Sequence, residues 1–115
     1  ALLEAINSQD ASALLESYAS YTENHAQRDY RGLLESLVQY VRVVLMLRYS
    51  KQYQDRAAEE YSKEKLESLQ NMPQITSHTL RDLLDVYEEV LTSSHPRESF
   101  EVFVYKQLEK WESAA

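Results

Sequence analysis

The sequence predicts an all-α fold: a bundle of five to six helices with one long central helix. Three observations predict it. The 115-residue chain holds one Gly and two Pro, too few turn formers for the many tight turns of a sandwich or barrel. Good helix formers (Ala, Leu, Glu, Gln, Lys and Arg) are plentiful. Apolar residues also recur at three- and four-residue spacings, the period of one helix face. The length suits a single domain, 1–115. A fold of this size buries roughly two-thirds of the unfolded chain's surface, enough for a core without staples.

Each element has a local reason. Leu2, Leu3 and Ile6 mark a first short helix, and Asp10 is a suitable N-cap for the second. Leu14, Leu15, Tyr18 and Tyr21 share one face of that second helix. A polar connector, Thr22 to Gln27, contains His25, which the reading leaves exposed. Asp29 caps the longest helix, Tyr30 to about Tyr49. Its main stripe is Leu33, Leu34, Leu37, Val38, Val41, Val44 and Leu45. A second row, Tyr40, Val43 and Leu47, leaves only Glu35, Gln39 and Arg42 as a polar strip. A helix apolar on most sides lies at the centre of a fold or under a partner.

The charged stretch after Tyr49 suggests one modest helix through Ala58, Tyr61, Leu66, Leu69 and Met72, stopped by Pro73. Thr76, Ser77 and Thr79 compete to cap the next helix. Its stripe is Leu80, Leu83, Leu84, Tyr87, Val90 and Leu91. The last helix carries Phe100, Phe103, Val104, Leu108 and Trp111 on one face, with Val102 and Tyr105 beside it. Pro96 suits its first position, where the missing N–H costs nothing. His95 or Ser94 then caps it, and Glu98 suits the positive helix end. Capping leaves Arg97 unexplained, because the helix dipole disfavours a cation there. A structural contact is expected of Arg97, pinning its helix to a neighbouring helix or subunit, with a carboxylate as the candidate partner.

Composition excludes several chemistries. The absence of Cys removes disulfides, thiolate metal sites and thiol nucleophiles, and fits a reducing compartment. The single Gly32 lies inside the long helix, so a phosphate-cradling loop has no glycines to use. A Gly-x-Ser-x-Gly elbow is absent as well. The formal charge is −7, from 19 acidic and 12 basic residues, with no Lys/Arg cluster to hold nucleic acid directly. No apolar run is long enough to span a membrane, and a cytoplasmic location is expected. The sequence opens on helix-forming "ALLEAI" and closes on "ESAA". Both ends read as cut from a longer chain, or else the chain is a small protein lacking its first residues.

Few side chains suggest a reactive site. His78, Asp82 and Asp85 share a helix face at i, i+4 and i+7, a spacing that chelates a metal or, more commonly, forms a solvated face. The nine Tyr suggest base stacking only if a basic groove accompanies them. Interleaved with Glu, they read instead as rings at the core edge with hydroxyls in water. Arg42 stands alone in "YVRVVLML". It pairs with Glu35 or Gln39 along the strip, or it meets a subunit whose carboxylate suits its planar fork.

Two stretches together resemble a known family. "LLESLVQYVRVVLMLR" resembles the long helix in the third domain of bacterial DNA polymerase III subunit gamma/tau, with Leu33, Glu35, Leu37, Tyr40 and Arg42 matching. "HPRESFEVFVYKQL" resembles that domain's last helix through His95, Pro96, Arg97, Phe100, Glu101 and Val102. "LLEAINSQDASALLE" is similar to the family's opening. The sequence departs from the pattern at Val43, Glu98 and Ser99, matches poorly from Lys51 to Pro73, and has a shorter helix before His95.

The resemblance implies a clamp-loader collar, a non-catalytic oligomerisation domain. Its expected partners are further gamma/tau copies, delta and delta-prime. ATP and zinc are expected only in upstream domains, and no cofactor or metal in this segment. Tyr40, Arg42, His95, Pro96, Arg97 and Glu101 become candidate structural or subunit contacts. The rival is an unrelated helical adaptor or inhibitor that binds a protein partner.

Overall fold

A computed structural model describes residues 2–24 and 29–114. These form an all-helical bundle with no strand among the described residues. Its helices are α1 (Leu2–Ser8), α2 (Ala11–Asn24), α3 (Tyr30–Tyr49), α4 (Lys51–Glu60), α5 (Lys63–Gln70), α6 (Ser77–Thr92) and α7 (Pro96–Ala114). The described residues thus hold seven helices, where the sequence predicts five to six.

The extra helix comes from two serines. Ser50 is extended; its N–H closes α3 on Met46 O, and its Oγ accepts from Tyr53 N to open α4. Gln54 Nε2 donates to Leu47 O at 2.8 Å, satisfying another free carbonyl at the end of α3. Ser62 then caps α5 by accepting from Lys65 N. The one modest helix expected beyond Tyr49 is therefore two, and Ala57 rather than Ala58 is buried.

Other ends follow side-chain chemistry already visible in the sequence. Asp10 Oδ1 accepts from Ala13 N at 3.1 Å, and Asp29 Oδ1 from Gly32 N at 2.8 Å. The lone glycine has a reason: a Cβ on Gly32 would lie 2.9 Å from Asp29 Cγ and displace the cap. Thr76 caps α6, and Thr79 completes a reciprocal capping box.

Helix α3 is the centre, packed by α4, α5, α6 and α7. It buries Tyr30, Leu34, Leu37, Val41, Val43, Val44 and Leu47, while Glu35, Gln39 and Arg42 face solvent. Phe100 of α7 is fully buried, with ring centroids of Tyr18, Tyr30 and Phe103 5.7–5.8 Å away. These rings link α2, α3 and α7. Burying such aromatics is the largest single-residue contribution available to a core of this size.

Helix α6 corrects an expectation. Its core face is Leu83, Val86 and Val90. Leu84 and Leu91, expected in the buried stripe, are 43% and 47% exposed. The face turns toward Val86 because α6 lies between α3 and α7 and buries the surface between both contacts.

Candidate functional site

The residues singled out by the two motifs lie on α3 and α7, which touch each other. At the start of α7, His95 occupies the cap position: its carbonyl accepts from Ser99 N at 3.0 Å, and its N–H donates to Ser93 Oγ at 2.8 Å. Its side chain is exposed, and Pro96 is the first helical residue.

Arg97 reaches across to α2. Its guanidinium lies near the Tyr18 hydroxyl, which raises its already high pKa. Tyr18 in turn donates to Glu101 Oε2 at 3.2 Å, and Tyr105 donates to Glu101 Oε1 at 2.5 Å. Burial pushes the Tyr18 phenol up; nearby Arg97 opposes this and the Glu101 charge adds to it. The contact between helices is therefore a tyrosine hydroxyl, while the carboxylate, Glu101, lies one turn along the same helix. A hydroxyl between a cation and an anion can donate to one and accept from the other. The Tyr18–Glu101 bond links α2 to α7.

On α3, the Tyr40 ring carries Lys65 Nζ 4.4 Å from its centroid, a cation–π contact between α3 and α5. Arg42 is exposed and has no hydrogen-bond or ion-pair partner among the described residues. The expected pairing with Glu35 does not form. Glu35 is engaged by Tyr87, whose hydroxyl donates at 2.8 Å, and by Arg31 at 3.2 Å. Those two partners, Tyr87 first, hold the Glu35 carboxyl below its usual range. Arg42 heads an exposed row one and two turns long: Met46 is 47% exposed and Tyr49 81%.

The candidate chelate is not assembled. Asp82 Oδ2 accepts from Lys110 Nζ at 2.6 Å and from Gln107 Nε2 at 3.3 Å. No group of three His, Cys, Asp or Glu suited to a metal occurs among the described residues, so His78, Asp82 and Asp85 do not make one. His25 lies outside the described residues. No helix among them is long and apolar enough to cross a membrane.

Three features were not anticipated from sequence. Arg48 donates to Met72 O at 2.9 Å and Ile75 O at 2.8 Å, tying the segment before α6 to the end of α3. Gln107 is buried in the apolar face of α7. A groove of about 340 Å³ lies among α1, α2, α3 and α5. A cation in a last helical turn was the available signal for Arg48; nothing in the pattern marked the groove. Comparison with protein-family models, with curated proteins and with solved structures gives no match.

Proposed function

We propose that this chain is a non-catalytic assembly domain of the clamp-loader collar type. It joins DNA polymerase III gamma/tau copies to one another and to delta and delta-prime subunits. The observation that carries the reading is the ordered motif pair, Leu33 to Arg42 and His95 to Val102. The surface of α3 supports it. Arg42 presents an unpaired guanidinium beside exposed Met46 and Tyr49. Arg, Met and Tyr are enriched at protein contacts, and a planar fork suits a partner's carboxylate. ATP hydrolysis belongs to upstream domains in this reading, and the present chain supplies contacts alone.

Sedimentation of the chain mixed with delta or delta-prime subunits tests the reading. Association with a Kd of about tens of micromolar is expected. Arg42→Ala weakens it about tenfold, a loss of roughly 1.4 kcal/mol, with the melting temperature unchanged. Absence of binding to every clamp-loader subunit at about 100 μM would overturn the reading.

A further inference from the structure

The groove among α1, α2, α3 and α5 is a recess into the core rather than a face of the surface. Its floor is Leu3, Leu37, Leu69 and Met72, all buried members of the hydrophobic core. Its volume of about 340 Å³ lies at the lower end of small-molecule pockets, roughly 300–1,000 Å³. A single turn of α-helix, about 10 Å across and about 5.4 Å long, fills roughly 420 Å³. That exceeds the space available, so the recess suits a thin apolar chain and not a docked helix.

The rim supplies one charge for recognition. Lys65 is the one cation among the residues lining the groove. Its ammonium is drawn onto the rim by the Tyr40 ring, 4.4 Å from Nζ to the centroid. No carboxylate pairs with it among the described residues. A ring face attracts the charge but accepts little from the three N–H donors of an ammonium, which remain for an acceptor. Glu4, the one carboxylate in the lining, has an interaction of its own. One ammonium matches one carboxylate. A phosphate dianion calls for a second cation or a cradle of backbone amides, and the lining holds no second cation and no glycine.

We propose that the groove binds a medium-chain fatty acid, its hydrocarbon lying on Leu3, Leu37, Leu69 and Met72 and its carboxylate accepting from Lys65 Nζ. The polar head stays at the exposed rim, where water still reaches it, and the chain replaces water over the apolar floor. This site is independent of the assembly role. Its contacts come from one chain, and no clamp-loader subunit enters the test.

The test titrates the 115-residue chain with decanoate by calorimetry and by methyl NMR. One decanoate is expected to bind with a Kd of about 100 μM, shifting the methyl signals of Leu3, Leu37 and Leu69. Decyltrimethylammonium, with the same chain and the opposite charge, is expected to bind at least tenfold more weakly. That preference is diagnostic, because the chain's net charge of −7 favours the cation in any non-specific association. Lys65→Met, which keeps an unbranched apolar stem, should weaken decanoate at least tenfold and leave decyltrimethylammonium unchanged. Lys51→Met, outside the groove, should change neither. Ser36→Trp, an exposed position that lines the groove, should block decanoate by filling the space. Circular dichroism checks that each variant keeps its helices, and the comparison of the two amphiphiles on the native chain needs no variant. No decanoate binding at about 1 mM overturns the proposal. So does equal or tighter binding of the cation, methyl shifts away from the groove, or a Lys65→Met chain that binds decanoate as the native one does.

Discussion

Gln9 has a φ of 54°, in the left-handed region, at the end of α1. Gln9 N donates to Ile6 O and Asp10 N to Ala5 O, the two crossed bonds of a Schellman ending. Glycine usually takes that position because a Cβ there crowds the neighbouring carbonyl. Gln9→Gly is therefore expected to stabilise the fold by about 1 kcal/mol, the relief of strain exceeding the greater freedom of an unfolded glycine. Urea denaturation measures this, and a lower midpoint would contradict it. The ending itself was not legible, because no glycine advertised it. The caps at Asp10 and Asp29 were legible, since each rests on one side chain acting within three residues, whereas the cap of α6 stayed open among Thr76, Ser77 and Thr79. Arg97 lies between these cases. The sequence shows that local capping leaves a cation unexplained, but its partner Tyr18 is far away in the chain and chosen by packing.

The α3 helix was readable over its whole span because its apolar residues repeat for twenty residues and an Asp opens it. The face of α6 was not. Adjacent apolar residues, Leu83 with Leu84 and Val90 with Leu91, leave a stripe whose direction depends on which neighbours pack against it. Ser50 was missed as a break because one capping serine in a charged stretch looks like any exposed serine. The segment between α5 and α6 depends on another long-range contact, Arg48. Its guanidinium holds the Met72 and Ile75 carbonyls, while Asn7 Oδ1 accepts from Gln74 N at 3.0 Å. Charge-assisted bonds of this type contribute more than neutral ones, but water partly replaces them at a site open to solvent. Arg48→Met is expected to cost about 2 kcal/mol and to speed hydrogen exchange at Ile75. An unchanged exchange rate there would show that the segment is held by Ile75 burial alone.

Across the whole molecule, the acidic surface and the tyrosine-rich core margin make stability asymmetric in pH. Tyr18, Tyr21 and Tyr61 all have phenols raised above 10.0, in each case chiefly by burial. Tyr105 is raised as well, first by its hydrogen bond to Glu101. A phenol whose folded pKa exceeds its unfolded value keeps its proton longer in the native state. Its contribution is complete below about pH 10 and is lost as pH rises through the folded value. Glu35 acts in the opposite direction: its lowered carboxyl helps only above the ordinary carboxylate pKa and loses that help on acidification. Glu35 is exposed and screened, so the acid limb stays shallow, whereas the alkaline limb steepens as buried Tyr18 and the partly buried Tyr21 and Tyr61 ionise. The melting temperature should therefore hold through neutral pH and fall above about pH 10. Tyr18 sits on Phe100, at the junction of α2, α3 and α7. Its ionisation also replaces a donor to Glu101 with a second negative charge. Tyr18→Phe should lower stability modestly at neutral pH, through the lost bond to Glu101, yet flatten the alkaline fall. Thermal melts across the pH range, read beside tyrosinate absorbance, separate the two effects. Parallel alkaline limbs in the native chain and Tyr18→Phe would show that the proton on Tyr18 does not couple to folding.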